Sequence, residues 1–253
     1  MTAIIETVVQ NLVNDSAAME DRGSFGLCEN SAMVLTDDIF IASAADPSQR
    51  EKHIEQALAA GAAAVIYDQD GTPPIERGVP MLGVADLAVR KSALAVKFFA
   101  SPSANVECIG ITGTNGKTSI GFHVANFSDS LGVPCGYCGT LGWGRVTQLA
   151  EAALTTPNAV EMQRRIASLR EKNVTRLALE VSSHALAQGR IDDVQMDVAV
   201  FSNLTRDHLD FHKTMDDYGQ AKARLFTHWP LKLAVINSDD AFGRSLAVTN
   251  RAQ

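Results

Sequence analysis

The stretch Val106-Glu107-Cys108-Ile109-Gly110-Ile111-Thr112-Gly113-Thr114-Asn115-Gly116-Lys117-Thr118-Ser119 decides how the rest of this chain is read. Its first half is an apolar run that predicts a buried strand over residues 106–112. Its second half crowds glycine and hydroxyl residues into a turn, and a helix is predicted from residue 117 to about residue 131. A strand that feeds a glycine-rich turn into a helix points backbone N–H groups at an anion held on the helix N-terminus. Lys117 then reaches the β- and γ-phosphates of a nucleoside triphosphate, and the Thr118 hydroxyl reaches its Mg²⁺. The match is to the short form G-x-x-G-K-[ST], because Ile111 stands five residues before Gly116, where the longer form has glycine.

Downstream, residues 176–181 (RLALEV), 197–201 (DVAVF) and 233–237 (LAVIN) read as further strands separated by helical segments. That alternation predicts a parallel sheet covered on both faces. Ligands of such a sheet gather at the C-terminal ends of its strands, which makes the polar residues found there candidates. Glu180 falls at such an end, beside the phosphate loop. Magnesium takes one or two carboxylates together with nucleotide phosphates, so Glu180 is a candidate metal ligand or, in the plainer reading, a solvated strand end. The run Asn203-Leu204-Thr205-Arg206-Asp207-His208-Leu209-Asp210 follows the next strand. His208 in it reads as a metal ligand, an acid–base group or a structural histidine. Lys222, in the helical segment 218–226, reads by itself as a surface lysine.

Upstream, the first hundred residues predict a small α/β unit. Residues 38–42 (DIFIA), 62–67 and 79–84 are expected strands. Residues 49–60 are an expected helix, with Ile54, Ala57 and Leu58 on one face and Gly61 as its stop. Asp86 is expected to cap a helix that runs to about residue 100. The breaker cluster Ser101-Pro102-Ser103 sets the expected boundary between domains 1–103 and 104–253. The tail Thr249-Asn250-Arg251-Ala252-Gln253 completes no recognisable domain, so either the last helix caps the sheet or the central domain is incomplete.

Composition limits the classes of function. The chain has 253 residues and a formal net charge of -7, with 22 Lys and Arg against 29 Asp and Glu. A mildly acidic chain without a basic cluster argues against a nucleic-acid partner or an anionic membrane. No apolar run approaches the roughly 20 residues of a spanning helix, and the N-terminus lacks the pattern of a signal peptide, so a cytoplasmic location is expected. Cys135 and Cys138 have C-x-x-C spacing, but no second pair or nearby histidine completes a metal site. They are expected, with Cys28 and Cys108, to be reduced structural residues.

Taken in order, GITGTNGKTS, LTTPN, LEVSSHALAQGRI, FSNLTRDHLDFH, YGQAKARLF and INSDD make residues 106–240 resemble the Mur ligases. These are ATP-dependent amide-bond ligases of peptidoglycan precursor synthesis. The resemblance implies a small uridine-binding α/β domain followed by a P-loop parallel-sheet central domain. It implies that Gly113, Thr114, Asn115, Gly116, Lys117, Thr118 and Ser119 hold ATP phosphates, with Asn237 and Asp240 on the adenosine side. Two Mg²⁺ ions are implied, one on Thr118 and Glu180 and the other on His208 and a carbamylated Lys222. Lys117, His208 and Lys222 become the catalytic candidates. Thr155, Thr156, Ser182, Gln188 and Arg190 match residues that hold the UDP-muramoyl substrate, and a guanidinium at 190 suits an anionic partner.

Over the first domain the resemblance is thinner. Residues 36–42 look like the family's P-G-D-L-F-V-A strand. Ser31 stands where the family has the serine of Asp-Ser-Arg, flanked here by Asn30 and Ala32. The family's Gly-His before the first long helix is replaced by residues near Arg50 and Glu51. The family's third, C-terminal domain, which selects the incoming amino acid, has no counterpart in the 253 residues.

The implied substrates are UDP-N-acetylmuramoyl-L-alanyl-D-glutamate and a diamino acid, meso-diaminopimelate ahead of L-lysine, used by a monomer. The run EVSSHALAQGR favours this branch over the D-Ala-D-Ala-adding branch and the folylpolyglutamate synthases. A binding-only fragment and an ordinary P-loop NTPase are the alternatives from other classes.

Overall fold

The computed structural model describes residues 2–14, 24–44, 46–69 and 77–250. It divides into two compact units, Met1–Ser101 with Ala159–Arg164, and Pro102–Asn158 with Arg165–Gln253.

The first unit begins with α1 (Thr2–Val13) and β1 (Gly26–Cys28). It continues through β2 (Asp38–Ala42), α2 (Pro47–Ala59), β3 (Ala64–Asp68), β4 (Met81–Val84) and α3 (Leu87–Phe98). Its four strands form one parallel sheet in the order β1-β2-β3-β4. All five residues of β2 are buried, as its apolar run requires. The helix expected over 49–60 starts two residues earlier because Asp46 accepts the Ser48 N–H at 2.8 Å. Pro47 then takes the first turn, where a missing N–H does no harm. The expectation for Asp86 needs correction. It stands at the N-cap position of α3 with left-handed φ of 54° and makes no side-chain capping bond.

The second unit contains β5 (Glu107–Thr112), α4 (Lys117–Ser130), β6 (Cys135–Gly139), β7 (Gly142–Arg145) and β8 (Gln148–Ala150). There follow α5 (Ala159–Glu171), whose first residues group with the first unit, then β9 (Arg176–Glu180), α6 (Ser183–Ala187) and β10 (Val198–Phe201). The last elements are α7 (Leu209–His212), α8 (Met215–Thr227), β11 (Leu233–Ile236) and α9 (Ala241–Asn250). The strand order is β11-β10-β5-β9-β6-β7-β8. The expected parallel sheet holds from β11 to β6, and β7 and β8 extend it as an antiparallel edge. β6, which carries both cysteines of the C-x-x-C spacing, forms where the sequence predicts no strand. All four cysteines are buried and reduced.

β5 lies in the middle of this sheet, between β10 and β9. Parallel pairing turns the C-terminal ends of five strands toward one edge. The phosphate loop leaves β5 there, Glu180 ends β9, Ser202 follows β10 and Thr140 follows β6. Helix α4 covers β5, β6 and β9 through small buried residues, Gly121, Ala125 and Ser128. Among the described residues no helix is long and apolar enough to cross a membrane.

Candidate active site

The loop between β5 and α4 is built by its glycines and braced by the segment after β10. Gly113 has φ of 147° and packs so closely on Ser202 that a β-carbon would collide with its Oγ. Gly116 is the left-handed N-cap of α4, with φ of 86°. Thr114 N–H donates to Asn203 O at 2.8 Å and Asn115 N–H to Asn203 Oδ1 at 3.0 Å. Ser202 Oγ and Asn203 Nδ2 in turn donate to Asn115 O at 2.6 and 3.0 Å. These bonds hold the loop open beside the start of α4, where the first N–H groups of a helix lack internal partners. Ser119 is exposed on the first turn of α4.

A cleft of about 250 Å³ opens on this loop and is lined by Lys117, Thr118, Glu180, Ser182, His208 and Lys222 among others. Lys117 folds back in it and donates to the carbonyls of Gly113 and Thr114, both at 2.9 Å. Lys222 Nζ also donates to Gly113 O at 2.9 Å, so two amines converge on one carbonyl. Lys222 is 1% exposed, against the surface position its sequence suggested. Burial, followed by the neighbouring Lys117 charge, pulls its pKa down to about 7. Burial also lowers the pKa of Lys117. Tyr218, one helical turn before Lys222 on α8, places its ring 4.5 Å below Nζ, and its hydroxyl lies 3.2 Å from Thr114 Oγ1.

Glu180 has no exposed surface and accepts from Thr118 Oγ1 at 2.9 Å, Thr140 N at 3.0 Å, Thr140 Oγ1 at 3.1 Å and the Tyr137 hydroxyl. Burial and the Glu180 contact push the Tyr137 phenol well above its usual range, which keeps it a neutral donor. Sequence reading missed both Tyr137 and Thr140. Thr140 directly follows β6, where ligand-binding residues of a parallel sheet gather, and Tyr137 carries no local signal.

His208 is about half exposed, has left-handed backbone with φ of 51°, and lies 3.5 Å from Asp207 Oδ2. Its ring packs edge-on against His184 at 4.8 Å. His212 is buried and bonds Ser183 Oγ at 2.9 Å. Burial lowers the pKa of both His184 and His212.

The expected substrate residues of this unit form one hydrogen-bonded strip. Thr156 Oγ1 donates to Glu180 O at 2.8 Å and accepts Ser182 N–H at 3.0 Å. Ser182 Oγ accepts Ala185 N–H at 3.2 Å and caps α6. Arg190 donates to Thr156 O at 3.0 Å and to Gln188 Oε1 at 2.8 Å. Thr155 Oγ1 lies 3.1 Å from Thr140 Oγ1. Asn237 and Asp240 follow β11 and tie its turn to the segment after β10, through Ser202 O at 2.8 Å and Leu204 N at 3.0 Å. Ser31 belongs to the first unit and donates to Gln56 Oε1 at 2.8 Å.

The donor set fits magnesium better on one side than on the other. The Thr118 hydroxyl and the Glu180 carboxylate are hydrogen-bonded to each other beside the phosphate loop, a fit for an ion that shares phosphate oxygens. Lys222, as an ammonium or a neutral amine, offers Mg²⁺ no anionic oxygen, so this side would fit a cation only if the nitrogen carried an acidic group. Among the described residues no three His, Cys, Asp or Glu side chains cluster as a cage.

Residues 111–253 match the family described as the Mur ligase middle domain. The UDP-N-acetylmuramoyl-L-alanyl-D-glutamate--2,6-diaminopimelate ligase of Ectopseudomonas mendocina is 46% identical over 220 residues, covering 86% of this chain and 45% of that protein. The ligase of the same name from Xanthomonas campestris pv. campestris is 43% identical over 242 residues, covering 94% of this chain and 48% of its own. A solved structure of a UDP-N-acetylmuramoyl-L-alanyl-D-glutamate--2,6-diaminopimelate ligase superposes with a TM-score of 0.72 at 34% identity, over 96% of this chain and 50% of that one. The chain thus spans about half the length of the curated relatives it matches. With the family's pattern matched across more than half of its residues, the chain belongs to the Mur ligase family.

Proposed function

We propose that this chain forms the substrate- and ATP-binding part of a ligase that adds meso-diaminopimelate to UDP-N-acetylmuramoyl-L-alanyl-D-glutamate through an acyl phosphate. One observation carries the reading. The phosphate loop, Glu180, His208 and the buried, weakly basic Lys222 line a single cleft. The names of the relatives support the choice of substrates over those of other ligase branches.

In this proposal the substrate carboxylate attacks the γ-phosphorus, and the bond to the bridging oxygen breaks to release ADP. The amine of the diamino acid then adds to the acyl carbon, loses a proton and expels phosphate. Lys117 leaves its two loop carbonyls and neutralises charge on the phosphates, with the free amides at the start of α4 holding their oxygens. Thr118 and Glu180 would hold one Mg²⁺, and His208 and a carbamylated Lys222 a second; such ions would offset the charge of the transferring phosphoryl group. The neutral amine of Lys222 is the form that would add to carbon dioxide, releasing a proton to solvent, and the resulting carbamate would supply the anionic oxygen that an ammonium lacks. Thr155, Thr156, Ser182, Gln188, Arg190 and Ser31 contact the UDP-muramoyl substrate, while Asn237 and Asp240 face the adenosine side.

The test is ADP release from ATP by the chain, with each candidate acyl donor added in turn. UDP-N-acetylmuramoyl-L-alanyl-D-glutamate should stimulate release, and hydroxylamine should trap the acyl phosphate as a hydroxamate. Stimulation by a folate instead would reassign the ligase branch. Tight binding of the UDP substrate without ADP release would reduce the chain to a binding part.

A further inference from the structure

A buried carboxylate keeps one orientation only if something holds it, and the end of β6 is built around Glu180. β6 runs parallel to β9 with Cys138 opposite Leu179, so the next residues along are Gly139 and Glu180. Tyr137 and Gly139 are two apart and share a face of the strand. The Tyr137 hydroxyl and the Thr140 N–H both donate to Glu180 Oε1, and Thr140 Oγ1 donates to Oε2 at 3.1 Å. Gly139 leaves the room for this, since a methyl group there would overlap both Glu180 Oε1 and the Tyr137 hydroxyl. Three of the four donors on the carboxylate thus come from one short segment, and the fourth is Thr118.

We infer that Tyr137, Gly139 and Thr140 are positioning residues that hold the Glu180 carboxylate in the orientation from which it binds the metal of the nucleotide. The inference rests on the proposed role of Glu180 as a metal ligand. Partners outside the coordination shell fix the orientation of ligating carboxylates, and losing one lowers metal affinity roughly 10- to 100-fold.

The experiment titrates Mn²⁺ into the full chain saturated with a non-hydrolysable ATP analogue and follows unbound Mn²⁺ by electron paramagnetic resonance. Thr140→Val and Tyr137→Phe should each weaken Mn²⁺ binding about 10-fold or more. Gly139→Ala should do the same by displacing the carboxylate, whereas Thr140→Ser, which keeps the hydroxyl, should bind like the parent chain. Affinity for the analogue without metal reports whether each variant is folded; if Tyr137→Phe or Gly139→Ala fails that check, the Thr140 pair decides. The inference is overturned if Thr140→Val and Tyr137→Phe bind Mn²⁺ as tightly as the parent while Glu180→Gln does not. If Glu180→Gln also binds normally, the ligand role of Glu180 falls, and the positioning role falls with it.

Discussion

Glu180 and Lys222 are both buried in the same cleft, at 0% and 1% exposure, yet they are housed in opposite ways. Glu180 is met by four donors, two of them on each oxygen. Lys222 meets one carbonyl, which it shares with Lys117, and the face of one ring. No carboxylate pairs with it among the described residues. A buried charge is tolerated when its lone pairs or protons are satisfied and is expensive when they are not. The carboxylate end is therefore satisfied as it stands, and an ion on Oε2 would take the place of the Thr118 hydrogen bond. The lysine end favours loss of the positive charge, which is the chemical change that a carbamate completes.

The largest effect should come from the unfinished end. Lys222→Ala is expected to lower substrate-dependent ADP release at least about 100-fold, in line with losing one preorganised electrostatic contact in a phosphoryl-transfer site. Added short carboxylic acids should restore part of it, since they can occupy the space of a carbamate. Unchanged activity would leave Lys222 as a structural lysine and remove the contrast with Glu180.

The same contrast gives a pH signature. Below pH 7 the Lys222 amine is protonated in folded and unfolded chains alike, and the penalty for burying its charge is fully present. Between pH 7 and the ordinary lysine value of 10.5 the unfolded chain holds the extra proton, so stability rises with pH. In buffer stripped of carbon dioxide, Lys222→Met should stabilise the chain at pH 6 by on the order of 4 kcal/mol and far less at pH 10. Urea unfolding at the two values checks this, and an equal gain at both would show that Lys222 is not strained by its charge.

The two ends also differed in how they could be read from the sequence. The strand, loop and helix of residues 106–131 were legible because apolar run, glycine turn and helix start are local patterns. Glu180 was legible because parallel topology sends every strand end to one edge. The shell around Glu180 was not, because Tyr137 and Thr140 reach it across 43 and 40 residues. β6 also hid behind its composition: Cys135-Gly136-Tyr137-Cys138-Gly139 carries two glycines, which disfavour strands unless another group must approach closely. Lys222 looked like a surface residue because nothing local shows that the phosphate loop closes over it. Asn237 and Asp240 show the reverse case: their side chains also brace the turn after β11, which no motif reveals.

Two smaller effects separate support of the carboxylate from contact with substrate. Thr156 is 1% exposed and bridges Glu180 O to Ser182 N. Thr156→Val leaves a buried carbonyl and N–H unpaired and should cost about 2 kcal/mol in urea unfolding. Because the change lies on the carboxylate side, the pH slope caused by Lys222 should survive it. Thr155 is only partly buried, and its hydroxyl meets that of Thr140 at 3.1 Å. Thr155→Val should change stability by no more than about 0.5 kcal/mol, as for an ordinary surface substitution. If Thr155 contacts the UDP substrate, the KM for that substrate rises while kcat holds, the mark of binding shared by ground and transition states. A loss of stability as large as that of Thr156→Val, with KM unchanged, would move Thr155 out of the substrate strip and into the support of Glu180.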